Sequence, residues 1–94
     1  MVRKAIPRVL KVQLWMKYCG RVFDTCCRCC FINPINPFEF HAAHIISVAH
    51  GGSTHLDNLL PTCTKCNLSM GIQNLYEFQK QYGYIDQGSA CTLL

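Results

Sequence analysis

Two groups of closely spaced cysteines constrain this chain more than any other feature of its sequence. The first group is the run Cys26-Cys27-Arg28-Cys29-Cys30, and the second is Cys63-Thr64-Lys65-Cys66. A C-x-x-C pair places two thiolates in one tight turn, and two such pairs supply the four ligands of a tetrahedral zinc ion. The first run holds two overlapping pairs, one beginning at Cys26 and the other at Cys27, so spacing alone leaves both registers open.

The size of the chain leads us to expect such a staple. At 94 residues, with eight cysteines, the chain has the size of one domain, and so small a core rarely supplies more than about 5 kcal/mol. Disulfides are the alternative staple in short secreted proteins. However, Pro7, Arg8 and Lys11 interrupt the apolar run that a signal peptide needs. We therefore expect a zinc-stabilised intracellular protein of the cytoplasm or nucleus, neither secreted nor membrane-spanning.

Basic residues are concentrated near the N-terminus. Six of the nine Lys and Arg residues lie in the first 21 positions, which contain no acidic residue, although the net charge of the whole chain is +4. Such a block is typical of contact with a phosphate backbone, and a solvated helix face is the alternative interpretation. The candidate DNA-binding residues are Arg3, Lys4, Arg8, Lys11, Lys17 and Lys65.

Periodicity and turn signals predict helices on both sides of a strand hairpin. An apolar stripe at Leu10, Leu14 and Tyr18, together with Trp15, predicts a helix over residues 7–19. Aromatic and β-branched residues predict a strand over residues 38–48, with a shorter strand returning from Leu59.

Two further helices are expected after the hairpin. The first begins near Thr64 and ends or kinks at Gly71. The second begins after Asn74 and turns Leu75, Phe78 and Tyr82 inward. The predicted organisation is a single domain over 1–94: a basic N-terminal helix (1–21), a zinc-stapled core with the last helix (24–83) and a tail (84–94).

Three polar residues are candidates for phosphodiester chemistry. His44 lies late on the predicted strand, and a neutral imidazole can accept a proton from water near neutral pH. Asn67 follows Cys66 directly, and its amide oxygen is a hard ligand suited to Mg²⁺. Asn58 lies in the loop, where its side chain can hold a turn. Each residue taken singly is more often structural, but the zinc pairs would bring His44 and Asn67 together.

These residues resemble the HNH endonucleases, whose ββα-metal fold packs a strand pair and a helix around a divalent cation. The resemblance extends from Trp15 to about Gly83. Within the family, the chain looks most similar to the short HNH proteins of large DNA viruses and phages. It is carried by Ala43-His44-Ile45-Ile46, Gly51-Gly52-Ser53, Leu56-Asp57-Asn58-Leu59 and Cys63-Thr64-Lys65-Cys66-Asn67. It implies an α+β fold: a small zinc-stabilised ββα-metal domain with flanking N- and C-terminal helices.

The resemblance also implies an activity, that of a metal-dependent DNA endonuclease. His44 would be the general base, Asn58 would brace the hairpin, and Asn67 would bind a catalytic Mg²⁺ or Mn²⁺. Cutting both strands with one site per chain would require a homodimer or two encounters. The interval from Cys30 to His44 resembles that of the viral proteins, which favours the structural zinc ligands Cys27, Cys30, Cys63 and Cys66.

The chain departs from the family pattern at Ala43. Many members carry an aspartate or histidine at this position as a second metal ligand, and a methyl group cannot bind a cation. His41 lies on the same strand face, and we expect it to hold the catalytic cation together with Asn67, while His50 and His55 are further candidates. The alternative function is a non-catalytic zinc-stabilised module that binds nucleic acid and has a degraded nuclease site.

Overall fold

The computed structural model describes residues 6–84 of the chain. Within these residues lie helices α1 (Arg8–Tyr18), α2 (Thr64–Met70) and α3 (Leu75–Tyr82), and strands β1 (Thr25–Cys26), β2 (Pro34–Ile35), β3 (His41–His44) and β4 (Leu59–Thr62). The strands form two antiparallel pairs, β1 with β2 and β3 with β4. This arrangement confirms the predicted α+β fold with a helix before and after the strands.

Helix α1 presents the predicted apolar stripe to the core. Leu14 and Trp15 are buried, while Leu10 and Tyr18 are half-buried and pack against the same core. The helix lies against β4, so its apolar residues cover one side of the hairpin. None of the helices within residues 6–84 has the length and apolar character that crossing a membrane requires.

The β3–β4 hairpin positions the candidate functional residues. His41 pairs with Thr62 and His44 pairs with Leu59. All four residues of β4 are buried, and this strand also receives the first cysteine run, because the Arg28 backbone N–H donates to the Pro61 carbonyl at 2.9 Å. Helix α2 packs against β3. The hairpin is therefore held between α1, α2 and the cysteine run.

The strand predicted over residues 38–48 is shorter than expected, because β3 covers only His41–His44. Before it, the Asn36 side chain accepts a hydrogen bond from the Phe38 backbone N–H at 2.9 Å. After it, the Ser47 side chain caps a single turn of 3-10 helix that begins at the next residue. Polar side chains that bond nearby backbone groups in this way compete with a strand ladder.

The last two helices begin and end as the sequence predicts. Helix α2 stops at Met70, and Gly71 follows with a φ of 57°. The Asn74 side chain caps α3 by accepting from the Tyr76 backbone N–H at 2.9 Å and from the Glu77 N–H at 3.2 Å. These two hydrogen bonds satisfy backbone N–H groups that have no partner inside α3.

The predicted inward face of α3 is partly wrong. Leu75 and Phe78 are buried, but Tyr82 is 57% exposed. The chain reverses immediately after Tyr82 at Gly83, where φ is 69°, and Tyr84 then lies against the Phe78 ring with centroids 6.1 Å apart. Tyr84 thus approaches Phe78 from beyond the helix end, while Tyr82 contacts the same ring at a centroid distance of 5.0 Å and remains exposed.

Candidate functional site

Four cysteines come together between the first cysteine run, β4 and α2. The sulfur atoms of Cys27, Cys30, Cys63 and Cys66 all lie within 4.8 Å of one another, and all four residues are buried. Tetrahedral zinc with Zn–S bonds of about 2.3 Å places its sulfur ligands about 3.8 Å apart. The cluster is therefore positioned to bind zinc, in the register that begins at Cys27 and leaves Cys26 outside it.

Hydrogen bonds to the sulfur atoms favour their charged form. The Asn33 side-chain amide donates to Cys63 Sγ at 3.2 Å, and the Cys66 backbone N–H donates to the same sulfur at 3.4 Å. Burial acts to raise the pKa of Cys63, but these hydrogen bonds outweigh it and lower that pKa. Asn33 also donates its backbone N–H to Cys30 Sγ at 3.4 Å. One asparagine therefore contacts both cysteine pairs.

At two other thiols of the cluster the net shift of the pKa is upward, and burial is its largest cause. Burial raises the pKa of Cys27 to about 12 and also raises the pKa of Cys66. Zinc binds thiolates, so these thiols must lose their protons when the ion binds, and the affinity for zinc must increase with pH.

His44 is the last residue of β3 and is half-buried. Its Nε2 lies 3.0 Å from the hydroxyl of Thr54, which belongs to the loop between β3 and β4. This contact restricts the orientation of the imidazole ring. Sequence reasoning did not identify Thr54, because nothing in its local pattern shows that the loop returns to His44.

The side chain of Asn58 joins the two sides of that loop. Its Oδ1 accepts from the Ile46 backbone N–H at 2.9 Å, while its Nδ2 donates to the Ile46 carbonyl at 3.0 Å and to the Ser53 carbonyl at 2.8 Å. Gly52 permits this closure, because a Cβ atom there would lie 1.8 Å from the Ile46 carbonyl oxygen. The loop that carries Thr54 is therefore fixed from within.

His41 and Asn67 meet between β3 and α2. The Asn67 side-chain nitrogen lies 3.0 Å from His41 Nδ1, and both residues are half-buried. This hydrogen bond uses the amide nitrogen of Asn67, whereas a hard cation would bind its amide oxygen. The two side chains are therefore adjacent, and their contact does not use the Asn67 amide oxygen.

The other residues considered near the missing ligand have different surroundings. Ala43 is 1% exposed and belongs to the core. His50 Nδ1 lies 3.0 Å from the Ser47 hydroxyl, so this ring is engaged in the 3-10 turn. His55 is exposed and precedes a second 3-10 turn that begins at Leu56.

The candidate DNA-binding cations are distributed over one helix and the second cysteine pair. Arg8 and Lys65 are exposed, and Lys11 Nζ lies 5.3 Å from the centroid of the Phe40 ring. Lys17 Nζ lies 3.4 Å from Asp57 Oδ1, which offsets part of its charge. Arg3 and Lys4 lie outside the described residues.

The segment that contains these residues matches a known protein family. The family model for HNH endonucleases matches residues 17–71, a span that contains both cysteine pairs, the hairpin and α2. This chain therefore belongs to the HNH endonuclease family. No curated protein and no solved structure matches the chain. Family membership supports a nuclease-type or nucleic-acid-related function, and the cysteine cluster supports zinc binding.

Proposed function

We propose that this protein is a metal-dependent DNA endonuclease that hydrolyses phosphodiester bonds. The observation that carries the proposal is the 3.0 Å contact between Asn67 on α2 and His41 on β3, in a chain whose His44 ends the same strand. The pair supplies candidate cation ligands at the start of β3, and the strand ends at a histidine that can serve as a base. This combination supports hydrolysis better than nucleic-acid binding alone.

In the proposed reaction, His44 accepts a proton from the water that attacks phosphorus. An imidazole is suited to this role because its ordinary pKa lies near neutral pH. The Thr54 hydroxyl holds the ring through Nε2, and Asn58 holds the loop that carries Thr54. Asn58 thus acts on the base indirectly, by positioning the residue that orients it.

His41 and Asn67 are the residues that would hold the catalytic cation. A divalent cation, when bound, supplies Lewis-acid stabilisation of the charge that develops on the phosphate. An imidazole ligand suits Mn²⁺ better than Mg²⁺, so we expect faster cleavage with Mn²⁺. Substrate phosphate oxygens and water would complete the coordination.

The cysteine cluster would have a structural role in this scheme. Four thiolates fill the tetrahedral coordination of zinc and leave no position for a reactive water. Zinc would therefore hold the first cysteine run against the hairpin and α2. Because Cys66 and Asn67 are consecutive residues, it would also fix the position of Asn67 on α2.

The proposal is tested by nicking of supercoiled plasmid with the zinc-loaded chain in Mn²⁺, in Mg²⁺ and without added divalent cation. We expect nicked circles only when a divalent cation is added, with 5′-phosphate ends that DNA ligase can reseal. If the folded, zinc-loaded chain binds the plasmid and nicks it under none of these conditions, the protein is a non-catalytic nucleic-acid-binding module.

A further inference from the structure

A groove that the proposed reaction does not use lies along the exposed side of α1. It has a volume of about 550 Å³ and runs between that helix and two segments of the chain, residues 20–23 and 37–40. This volume is within the range of about 300–1,000 Å³ found for ligand sites.

Aromatic rings form both the mouth and the floor of the groove. At the mouth, Phe38 is 81% exposed and Phe23 is 53% exposed, and their ring centroids are 5.9 Å apart. At the floor, Trp15 and Phe40 are buried, with centroids 5.2 Å apart. Single exposed apolar residues are ordinary on a protein surface, but two neighbouring exposed rings over a buried aromatic floor offer a surface on which flat molecules can stack.

The groove has a basic lining. Arg8, Lys11 and Arg21 line the groove, and none of its described lining residues is acidic. Glu39, which follows Phe38 in the sequence, accepts a hydrogen bond from the Asn36 side chain at 3.1 Å. The groove therefore combines stacking surfaces with cations, and its ligand should be both planar and anionic.

We propose that this groove binds a single-stranded segment of DNA, with unpaired bases stacked on Phe38 and Phe23 and phosphates near the three cations. Aromatic side chains can stack only on bases whose faces are open, and in a duplex those faces are covered by neighbouring base pairs. This proposal rests on the proposed function for its nucleic-acid ligand. It adds that the substrate would carry a single-stranded stretch beside the cleavage site.

The position of the groove supports this substrate class. Phe40 and His41 are consecutive residues, yet Phe40 packs on Trp15 of α1, while His41 contacts Asn67 of α2. The chain thus passes directly from the floor of the groove to the first proposed cation ligand at the start of β3. A forked or tailed DNA can place a single strand in the groove and its junction near the hairpin.

The test is fluorescence anisotropy of the zinc-loaded full chain without added divalent cation, so that no probe is cut. The probes are one labelled mixed-sequence strand and the same strand in a duplex. Stacking on one aromatic residue changes affinity by about 5- to 150-fold. We expect Phe38→Ala to weaken single-strand binding by about 10-fold or more and duplex binding by less than about twofold.

Control variants separate stacking from charge and from folding. Phe38→Trp should retain single-strand affinity, and Tyr76→Ala, which removes a 54% exposed ring on α3, should bind both probes as the wild type does. Arg21→Gln should weaken binding to both probes and reduce the salt dependence by about one phosphate contact. Zinc content and circular dichroism establish that each variant is folded.

Three results would overturn the inference: duplex binding as tight as single-strand binding, equal losses on both probes in Phe38→Ala, or conversion of a dimer to a monomer by that variant with unchanged affinity. In the last case the face is a contact between two copies of the chain. A retained single-strand preference without nicking would reject only the nuclease proposal, whereas nicking without that preference would reject only the groove.

Discussion

The cysteine cluster differs in both exposure and chemistry from the open face, which comprises His41, His44 and Asn67. The two regions are connected by the consecutive residues Cys66 and Asn67. Every cysteine of the cluster is at most 7% exposed, and its donor atoms are sulfurs. His41, His44 and Asn67 are half-buried and offer nitrogen and oxygen atoms near the surface. The buried cysteine cluster suits a permanently bound ion, whereas the open face suits a cation that must also contact a substrate.

In a chain of this size, stability and catalysis can therefore depend on different sets of residues. A small core gains stability from a metal staple, and a zinc ion in this cluster would also fix Asn67, the residue that follows Cys66. Changes in the cluster should therefore affect folding first. Changes in the open face should affect catalysis while the fold is retained.

The largest effect is expected when a zinc ligand is removed. Structural zinc contributes on the order of 10–16 kcal/mol in small zinc domains, so Cys27→Ser should lose zinc and unfold. Metal analysis and circular dichroism measure both effects. Cys19→Ser is the matched control, because this half-buried thiol lies outside the cluster. If Cys27→Ser keeps one zinc per chain and Cys26→Ser loses it, the register is wrong.

A smaller effect on the same region is expected at Asn33. Loss of an outer hydrogen bond to a metal ligand typically lowers metal affinity by about 10- to 100-fold, and Asn33→Ala removes the bond to Cys63 Sγ. Competition with a chromophoric chelator measures the zinc affinity. Asn36→Ala removes an asparagine that bonds Glu39 instead and should leave zinc affinity unchanged. Equal affinities in the two variants would contradict a role for Asn33.

On the open face, His41→Ala and Asn67→Ala should each raise the Mn²⁺ concentration needed for half-maximal cleavage by at least about 10-fold, because each removes a proposed ligand. Neither change should alter zinc content. A Mn²⁺ titration of the single-turnover cleavage rate measures the requirement. If only Asn67→Ala shifts it, His41 is not a ligand of the catalytic cation.

The smallest effect is expected at Thr54, which in the proposed mechanism orients His44 through a 3.0 Å contact and does not bind the substrate. A single hydrogen bond contributes about 0.5–1.5 kcal/mol, so Thr54→Val should lower kcat by about 2- to 10-fold and leave KM unchanged. Thr54→Ser keeps the hydroxyl and should restore the rate. A rise in KM with normal kcat would instead place Thr54 in substrate binding.

Local sequence signals predicted the elements that depend on local chemistry. Asn74 caps α3 and Gly71 follows α2 because capping and left-handed turns are properties of single residues. The cysteine spacing predicted a metal cluster because a C-x-x-C pair brings two thiols together within one short turn. It could not choose between registers, because that choice depends on which sulfurs the fold turns toward Cys63 and Cys66.

Features that depend on tertiary contacts were not predictable in this way. Strand β3 is short because Asn36 and Ser47 bond nearby backbone groups on either side of it. Thr54 reaches His44 only after Asn58 has closed the loop. The groove beside α1 likewise needs Phe23 and Phe38 side by side, although they are 15 positions apart in the chain.

The most direct test of this division is the single-turnover DNA cleavage rate of His44→Ala, with zinc content and thermal unfolding recorded on the same preparation. His55→Ala, which changes an exposed loop histidine, is the control. We predict one zinc per chain and wild-type unfolding for both variants, with cleavage lowered about 10²- to 10⁴-fold in His44→Ala alone, as expected for loss of a general base. Cleavage by His44→Ala at the wild-type rate, or loss of its zinc, would contradict the account.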